Sequence, residues 1–180
     1  MKLKCRNLIS GKGSILFAAL LAIETLFLPG CKVSYSFSGA STTGLGTISV
    51  QYFQNRASLV QPGLSQNLTD ALIDKCKAQT NLKIINGLGD ANFEGEISDY
   101  NTRPLTVSAD ATAATNRFTI TVKVKFTNAV DPDLSYEQSF SRYEDYNSSL
   151  DLSAVEAELS ENIIKLIVED IFNRAFVNWN

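Results

Sequence analysis

The sequence predicts an α+β domain in which two helices pack on one face of a mixed sheet of about four to five strands. Three observations predict it. Apolar residues alternate without a break from Phe118 to Phe126, the period of a strand with one buried face. Two longer stretches, near residues 62–76 and 153–177, carry apolar residues at spacings of three and four instead. The elements run strand, helix, three or four strands, helix, and the middle strands follow one another in hairpin-like succession, an order that segregates helices to one face of the sheet.

In chain order, Ile48, Val50 and Tyr52 alternate with Thr47, Ser49 and Gln51 and are expected to form the first strand, with those three apolar side chains buried. Pro62 then suits a first helical position, and Leu64, Leu68, Ala71, Leu72 and Cys76 make the apolar stripe of the first helix. Leu82, Ile84 and Ile85 read as a short strand that ends in the turn-forming run 86–90. Phe93 and Ile97 mark the next strand, with Glu94, Glu96 and Ser98 toward water.

The strand Phe118–Phe126 places Thr119, Thr121, Lys123 and Lys125 on its polar face. Asp131-Pro-Asp133 supplies a turn, and Leu134, Tyr136 and Phe140 resume the alternation on an antiparallel partner. In that hairpin Lys125 and Lys123 are expected beside Glu137 and Ser139, where cross-strand pairing gives them an ordinary role. Ser153 and Glu156 have the spacing of a capping box that opens a helix running to about Val177. This helix is apolar over most of its circumference from Ile163 to Phe176, so it calls for cover on more than one side, by its own core or by a second protein. Trp179 at the end can staple the helix to the sheet or meet a partner.

The first thirty residues read as a targeting segment. Lys2, Lys4, Arg6 and Lys12 precede the apolar run Ile15–Ile23, which is too short to span a bilayer comfortably. Leu28-Pro-Gly-Cys31 follows and resembles the lipobox of bacterial lipoproteins, although Glu24, directly after the run, and Pro29 depart from the usual pattern. The expected organisation is a signal peptide over 1–30, acylation of Cys31, a Ser/Thr/Gly-rich flexible linker over 31–46, and one domain over 47–180. Lys32 stands where an aspartate would resemble an inner-membrane retention signal, so outer-membrane sorting on the periplasmic side is expected.

Without the leader, 12 basic side chains face 18 acidic ones, a formal charge of −6. An acidic domain with no run of lysine and arginine lacks the face that neutralises phosphates, which argues against nucleic acid. Histidine is absent from all 180 residues, which removes the commonest general base and metal ligand. Of three cysteines, Cys5 leaves with the leader and Cys31 takes lipid. Cys76 is left without an intrachain partner and is expected to be a buried, inert thiol. No G-x-S-x-G elbow or paired-cysteine motif occurs, and nothing calls for a cofactor, so the expectation is a binding or assembly protein and not an enzyme.

Several stretches are shared with a known family. They include Tyr35-Ser-Phe-Ser-Gly-Ala40, Thr47-Ile-Ser-Val-Gln-Tyr-Phe53 followed by Asn55-Arg56, and Leu64-Ser-Gln with Thr69-Asp-Ala-Leu72. Further on come Phe93-Glu-Gly-Glu-Ile-Ser-Asp-Tyr100, Asn116-Arg-Phe-Thr-Ile-Thr-Val-Lys-Val124 with Lys125-Phe-Thr-Asn128, Gln138-Ser-Phe-Ser-Arg-Tyr143, and Asp170-Ile-Phe-Asn173 with Ala175-Phe-Val-Asn-Trp179. Over essentially the whole mature chain this resembles the LptE family of lipopolysaccharide-assembly lipoproteins, in particular its Bacteroidetes branch.

The resemblance implies a non-enzymatic outer-membrane lipoprotein, tethered to the inner leaflet of that membrane, which plugs the LptD β-barrel and helps lipopolysaccharide reach the surface. A lipid-anchored adaptor for a different envelope complex, without lipopolysaccharide binding, is the alternative; a small envelope hydrolase is a remote third. Lipopolysaccharide carries phosphates, so basic residues near an apolar edge are its candidate contacts: Arg103, Arg117, Lys123 and Lys125. Arg56, Arg142 and Trp179 are candidate barrel contacts.

Overall fold

A computed structural model describes residues 41–58, 61–105 and 114–177. Residues 1–30, expected to be a targeting segment, lie outside the described residues, as do Cys31 and Trp179. The elements are β1 (Thr47–Val50), β2 (Gln54–Asn55), α1 (Leu64–Gln79), β3 (Lys83–Ile84), β4 (Ala91–Pro104), β5 (Thr115–Asn128), a 3-10 turn (Pro132–Leu134), β6 (Tyr136–Asn147) and α2 (Leu152–Phe176). The strands form one mixed sheet in the order β3-β1-β4-β5-β6, with β2 following β1 along the same edge of β4. Pairing is parallel among β1, β2, β3 and β4 and antiparallel from β4 to β6. Helix α1 lies over β1 and β2, and α2 lies over β5 and β6, so both cover one face, as the α+β reading expects.

Between the layers, Leu64, Leu68, Leu72 and Cys76 of α1 and Ile163, Ile167 and Ile171 of α2 meet Ile48, Phe93, Ile97, Ile120, Val122 and Val124 of the sheet, all of them buried. Phe93, Phe126 and Phe176 form an aromatic cluster with centroids 4.8 to 6.0 Å apart. The surplus of apolar residues on α2 has an internal explanation. Ile164 and Val168 are buried beside α1, so the helix is covered by the sheet on one side and by α1 on another. Leu166 is left outside, half exposed. No helix among the described residues is long and apolar enough to cross a membrane.

Four local expectations are revised. Tyr52 is not on the buried face: β1 stops at Val50, and the irregular backbone of 51–53 sends Phe53 into the core and leaves Tyr52 56% exposed. The Phe53 N–H donates to Thr69 Oγ at 3.2 Å, which ties this kink to α1. Pro62 is outside α1, which begins at Leu64 after Gly63, whose φ of 88° turns the chain at no steric cost. Leu134 belongs to the exposed 3-10 turn and not to β6. Helix α2 is capped by Asp151, whose carboxylate accepts the Ser153 N–H at 3.1 Å, and Glu156 instead accepts the Tyr100 hydroxyl.

Strand β4 is much longer than Phe93 and Ile97 alone suggest. A bulge between Ile97 and Asp99 shifts the alternation by one, so that Ile97 and Tyr100 are both buried although three apart. Residues 41–46, at the end of the expected linker, are docked. Ser41 N–H donates to the Phe176 carbonyl at 2.7 Å, and Gly46 N–H, Thr47 N–H and Thr47 Oγ each donate to Asp90 Oδ2 at 2.9 Å.

Candidate functional site

The face of the sheet opposite the helices is the candidate site. Alternation along β4, β5 and β6 places a polar side chain at every register position of this face, in five cross-strand rows. From one end these are Glu94/Lys125/Glu137, Glu96/Lys123/Ser139, Asp99/Thr121/Ser141, Asn101/Thr119/Tyr143 and Arg103/Arg117/Asp145. Lys125 stands beside Glu137 and Lys123 beside Ser139, the register expected from sequence.

The rows are held by charge pairing. Lys125 Nζ is 2.8 Å from Glu94 Oε1, Lys123 Nζ reaches diagonally to Glu137 Oε1 at 2.7 Å, and Arg56 Nε is 3.8 Å from Glu96 Oε2. The Arg117 guanidinium makes a fork to Asp145, with Nε to Oδ1 at 2.8 Å and Nη2 to Oδ2 at 2.9 Å, and its carbon lies 3.6 Å from the centroid of the Tyr143 ring. Thr121 and Ser141 share a hydroxyl hydrogen bond of 2.9 Å in the middle row. Hydrogen bonds donated to the carboxylates raise the pKa values of Lys123, Lys125 and Arg117, and the same contacts lower those of Glu137 and Asp145. Pairs this exposed contribute little to stability, so the ladder matters as a surface pattern.

The fold brings the four candidate lipopolysaccharide contacts, Arg103, Arg117, Lys123 and Lys125, onto this one face. Three of them are neutralised by carboxylates. Arg103 stands opposite Arg117 in the register, and none of the ion pairs among the described residues includes it. Of the three candidate barrel contacts, Trp179 lies outside the described residues, and the other two separate. Arg56 lies on the polar face, whereas Arg142 is on the helix side, where its guanidinium grips Asp170 of α2 at 2.6 and 2.7 Å.

Sequence reasoning passed over Tyr52, Gln54, Tyr143 and Asp145. Tyr52 was hidden by the kink at 51–53, and Asp145 becomes a partner of Arg117 only through a register some thirty residues long. Among the described residues no cluster of acidic or cysteine side chains could hold a metal ion. Cys76 is buried, and its burial pushes the thiol up to about 12.

At one end of this face, beside the kink, the polar side chains surround a concavity of about 570 Å³. A second hollow of about 970 Å³ runs between α1 and α2 over Ala71, Ala78, Ile164 and Val168.

The model of the family LptE, described as lipopolysaccharide-assembly, matches residues 45–175. Comparison with curated proteins returns no match. Among solved structures, a hypothetical protein from Chlamydia trachomatis superposes with a TM-score of 0.50 at 9% identity, over 74% of this chain and 99% of that one. A minor lipoprotein from Acinetobacter baumannii gives 0.48 at 12% identity over 72% and 91%, and the rare lipoprotein B from Shewanella oneidensis gives 0.42 at 12% over 72% and 90%. At such identities the first of these likenesses is one of fold alone.

Proposed function

The chain belongs to the LptE family of lipopolysaccharide-assembly proteins, and from that premise we propose that it is a non-enzymatic outer-membrane lipoprotein that plugs an LptD-like β-barrel. In this reading Cys31 carries the lipid, the domain lies on the periplasmic side, and the protein assists passage of lipopolysaccharide to the surface.

One observation supports the plug in particular: five rows of polar side chains, hydroxyls and ion pairs cover a whole sheet face that no helix packs on among the described residues. The lumen of an outer-membrane barrel is itself polar, so such a face can lie against it without stranding buried apolar surface. Arg103 and Arg117 form the candidate phosphate contact, since the two arginines are cross-strand register partners and Asp145, on the far side of Arg117, is the carboxylate paired with them. Lys123 and Lys125, the other two candidate lipopolysaccharide contacts, are already engaged by glutamates, which makes them the weaker phosphate ligands.

The test is capture of the full-length lipoprotein from outer membranes in mild detergent, followed by mass spectrometry. A stoichiometric barrel of the lipopolysaccharide translocon is expected. A different stoichiometric partner would overturn the plug and favour an adaptor for another envelope complex.

A further inference from the structure

The concavity at the kinked end of the polar face has a composition that phosphate recognition does not explain. Its charged lining consists of Arg56, Lys123 and Lys125 against Glu94, Glu96 and Glu137, three of each sign. Each cation is within 4 Å of one of those carboxylates. A site with no net charge and with its ammonium groups already paired does not select an anion, and a lining of charges and amides offers no wall for an acyl chain. It does present donors and acceptors alternately at fixed spacing, which suits a ligand carrying hydroxyls that donate and accept in turn.

Three further features belong to the same hollow. Tyr52 stands on its rim with 56% of its surface exposed, displaced there by the kink that buries Phe53. An exposed aromatic ring beside polar groups offers an apolar face and a hydroxyl together. Gln51 lines the wall with its amide oriented from behind, Nε2 donating to the Gly87 carbonyl at 2.7 Å and to Asn92 Oδ1 at 3.1 Å. Gln54, exposed on β2, adds a second amide. The volume, about 570 Å³, falls within the range of roughly 300–1,000 Å³ typical of small-molecule sites.

We propose that this concavity is a saccharide subsite, in which one or two sugar residues stack on Tyr52 and exchange hydrogen bonds with Gln51, Gln54 and the paired charges around them. Two envelope polymers supply this chemistry, the sugar portion of lipopolysaccharide and the glycan strands of peptidoglycan. The choice of the first as source rests on the lipopolysaccharide reading above; the subsite itself does not.

The experiment uses the full-length protein in mild detergent, with ligand-observed NMR and calorimetric titration against three probes. These are delipidated and dephosphorylated lipopolysaccharide oligosaccharide, soluble peptidoglycan glycan fragments, and lipid A alone. The oligosaccharide is expected to bind, with Tyr52→Ala weakening it by about tenfold, Tyr52→Phe retaining most of the affinity, and Leu166→Ala, exposed on α2, leaving it unchanged. Tyr52 and Gln54 are exposed, and unaltered far-UV circular dichroism of the variants shows that the fold is kept. Binding of glycan fragments alone, with the same dependence on Tyr52, upholds the subsite and reassigns its source. Binding of lipid A without either saccharide, or saccharide binding indifferent to Tyr52→Ala and Gln54→Ala, overturns the subsite while leaving the lipopolysaccharide-assembly reading intact.

Discussion

Replacing Gly95 by alanine tests the packing beneath the polar face. Gly95 sits opposite Val124 in the β4–β5 ladder, with the Phe53 ring against it on the core side. A Cβ there would lie 2.2 Å from the Lys123 carbonyl oxygen and 2.7 Å from Phe53 Cε1. A rotamer change of Phe53 can relieve the second contact. The first is with backbone, so β4 and β5 must separate locally and lose ladder hydrogen bonds. Overpacking of this kind costs about 1–3 kcal/mol, and contact with a main-chain atom points to the upper end. The gain from a less flexible unfolded chain, about 0.4–1 kcal/mol, offsets only part of it. A net loss of about 2 kcal/mol, at a urea slope of about 1.5 kcal/mol per molar, moves the unfolding midpoint down by roughly 1.3 M with the slope unchanged. Combining Gly95→Ala with Phe53→Leu in a double-mutant cycle separates the two contacts, and the smaller side chain is expected to recover less than half of the loss. A midpoint shift below about 0.3 M, or full recovery with Phe53→Leu, would show that the main-chain contact does not govern this position.

Helix α2 supplies a paired prediction: Ile167→Ala, fully buried, is expected to cost about 2–5 kcal/mol in chemical denaturation, while Leu166→Ala, half exposed one residue away, stays within about 0.5 kcal/mol. Equal losses would mean that Leu166 is covered in solution. Burial holds the Cys76 thiol neutral, with its pKa up to about 12, so in the folded lipoprotein it should resist iodoacetamide at pH 8 and become labelled only in step with unfolding by urea. Rapid labelling under native conditions would contradict the burial. The carboxylate of Asp90 has its pKa lowered by the Gly46 N–H, the Thr47 hydroxyl and the Thr47 N–H. A depressed folded pKa gives stability that is full above the ordinary carboxylate value near ~3.9 and is lost as pH falls through the folded value. Asp90→Ala should therefore lower the melting temperature at pH 7, and its difference from the parent should shrink as the pH is taken below 4; a difference independent of pH would refute the carboxylate's role.

Periodicity alone identified the two helices and the hairpin of β5 and β6, including its register. An unbroken alternation from Phe118 to Phe126 admits only one buried face, and the short turn at 131–133 sets which residues stand opposite. The absence of histidine and the acidic balance were equally open to reading, because they are properties of composition. The same holds for the family stretches, which are local strings. The tertiary structure was needed wherever the local period is interrupted. The bulge at Ile97–Asp99 hid half of β4, and the kink at 51–53 exchanged Tyr52 for Phe53 in the core.

It was needed again wherever a side chain's role depends on a distant partner. Glu156 looked like a cap and is held by Tyr100; Arg142 gives no local sign of Asp170, its ion-pair partner on α2. The concavity beside Tyr52 draws on four segments from Gln51 to Glu137, and no one of them carries a signature of it. Sequence by itself determined the two helices, the β5–β6 hairpin and the family to which the chain belongs, because these are written in neighbouring residues. Which polar groups share a face, which are neutralised and which are left to meet a ligand was decided by strand order and register, since these bring together residues that the chain separates by tens of positions.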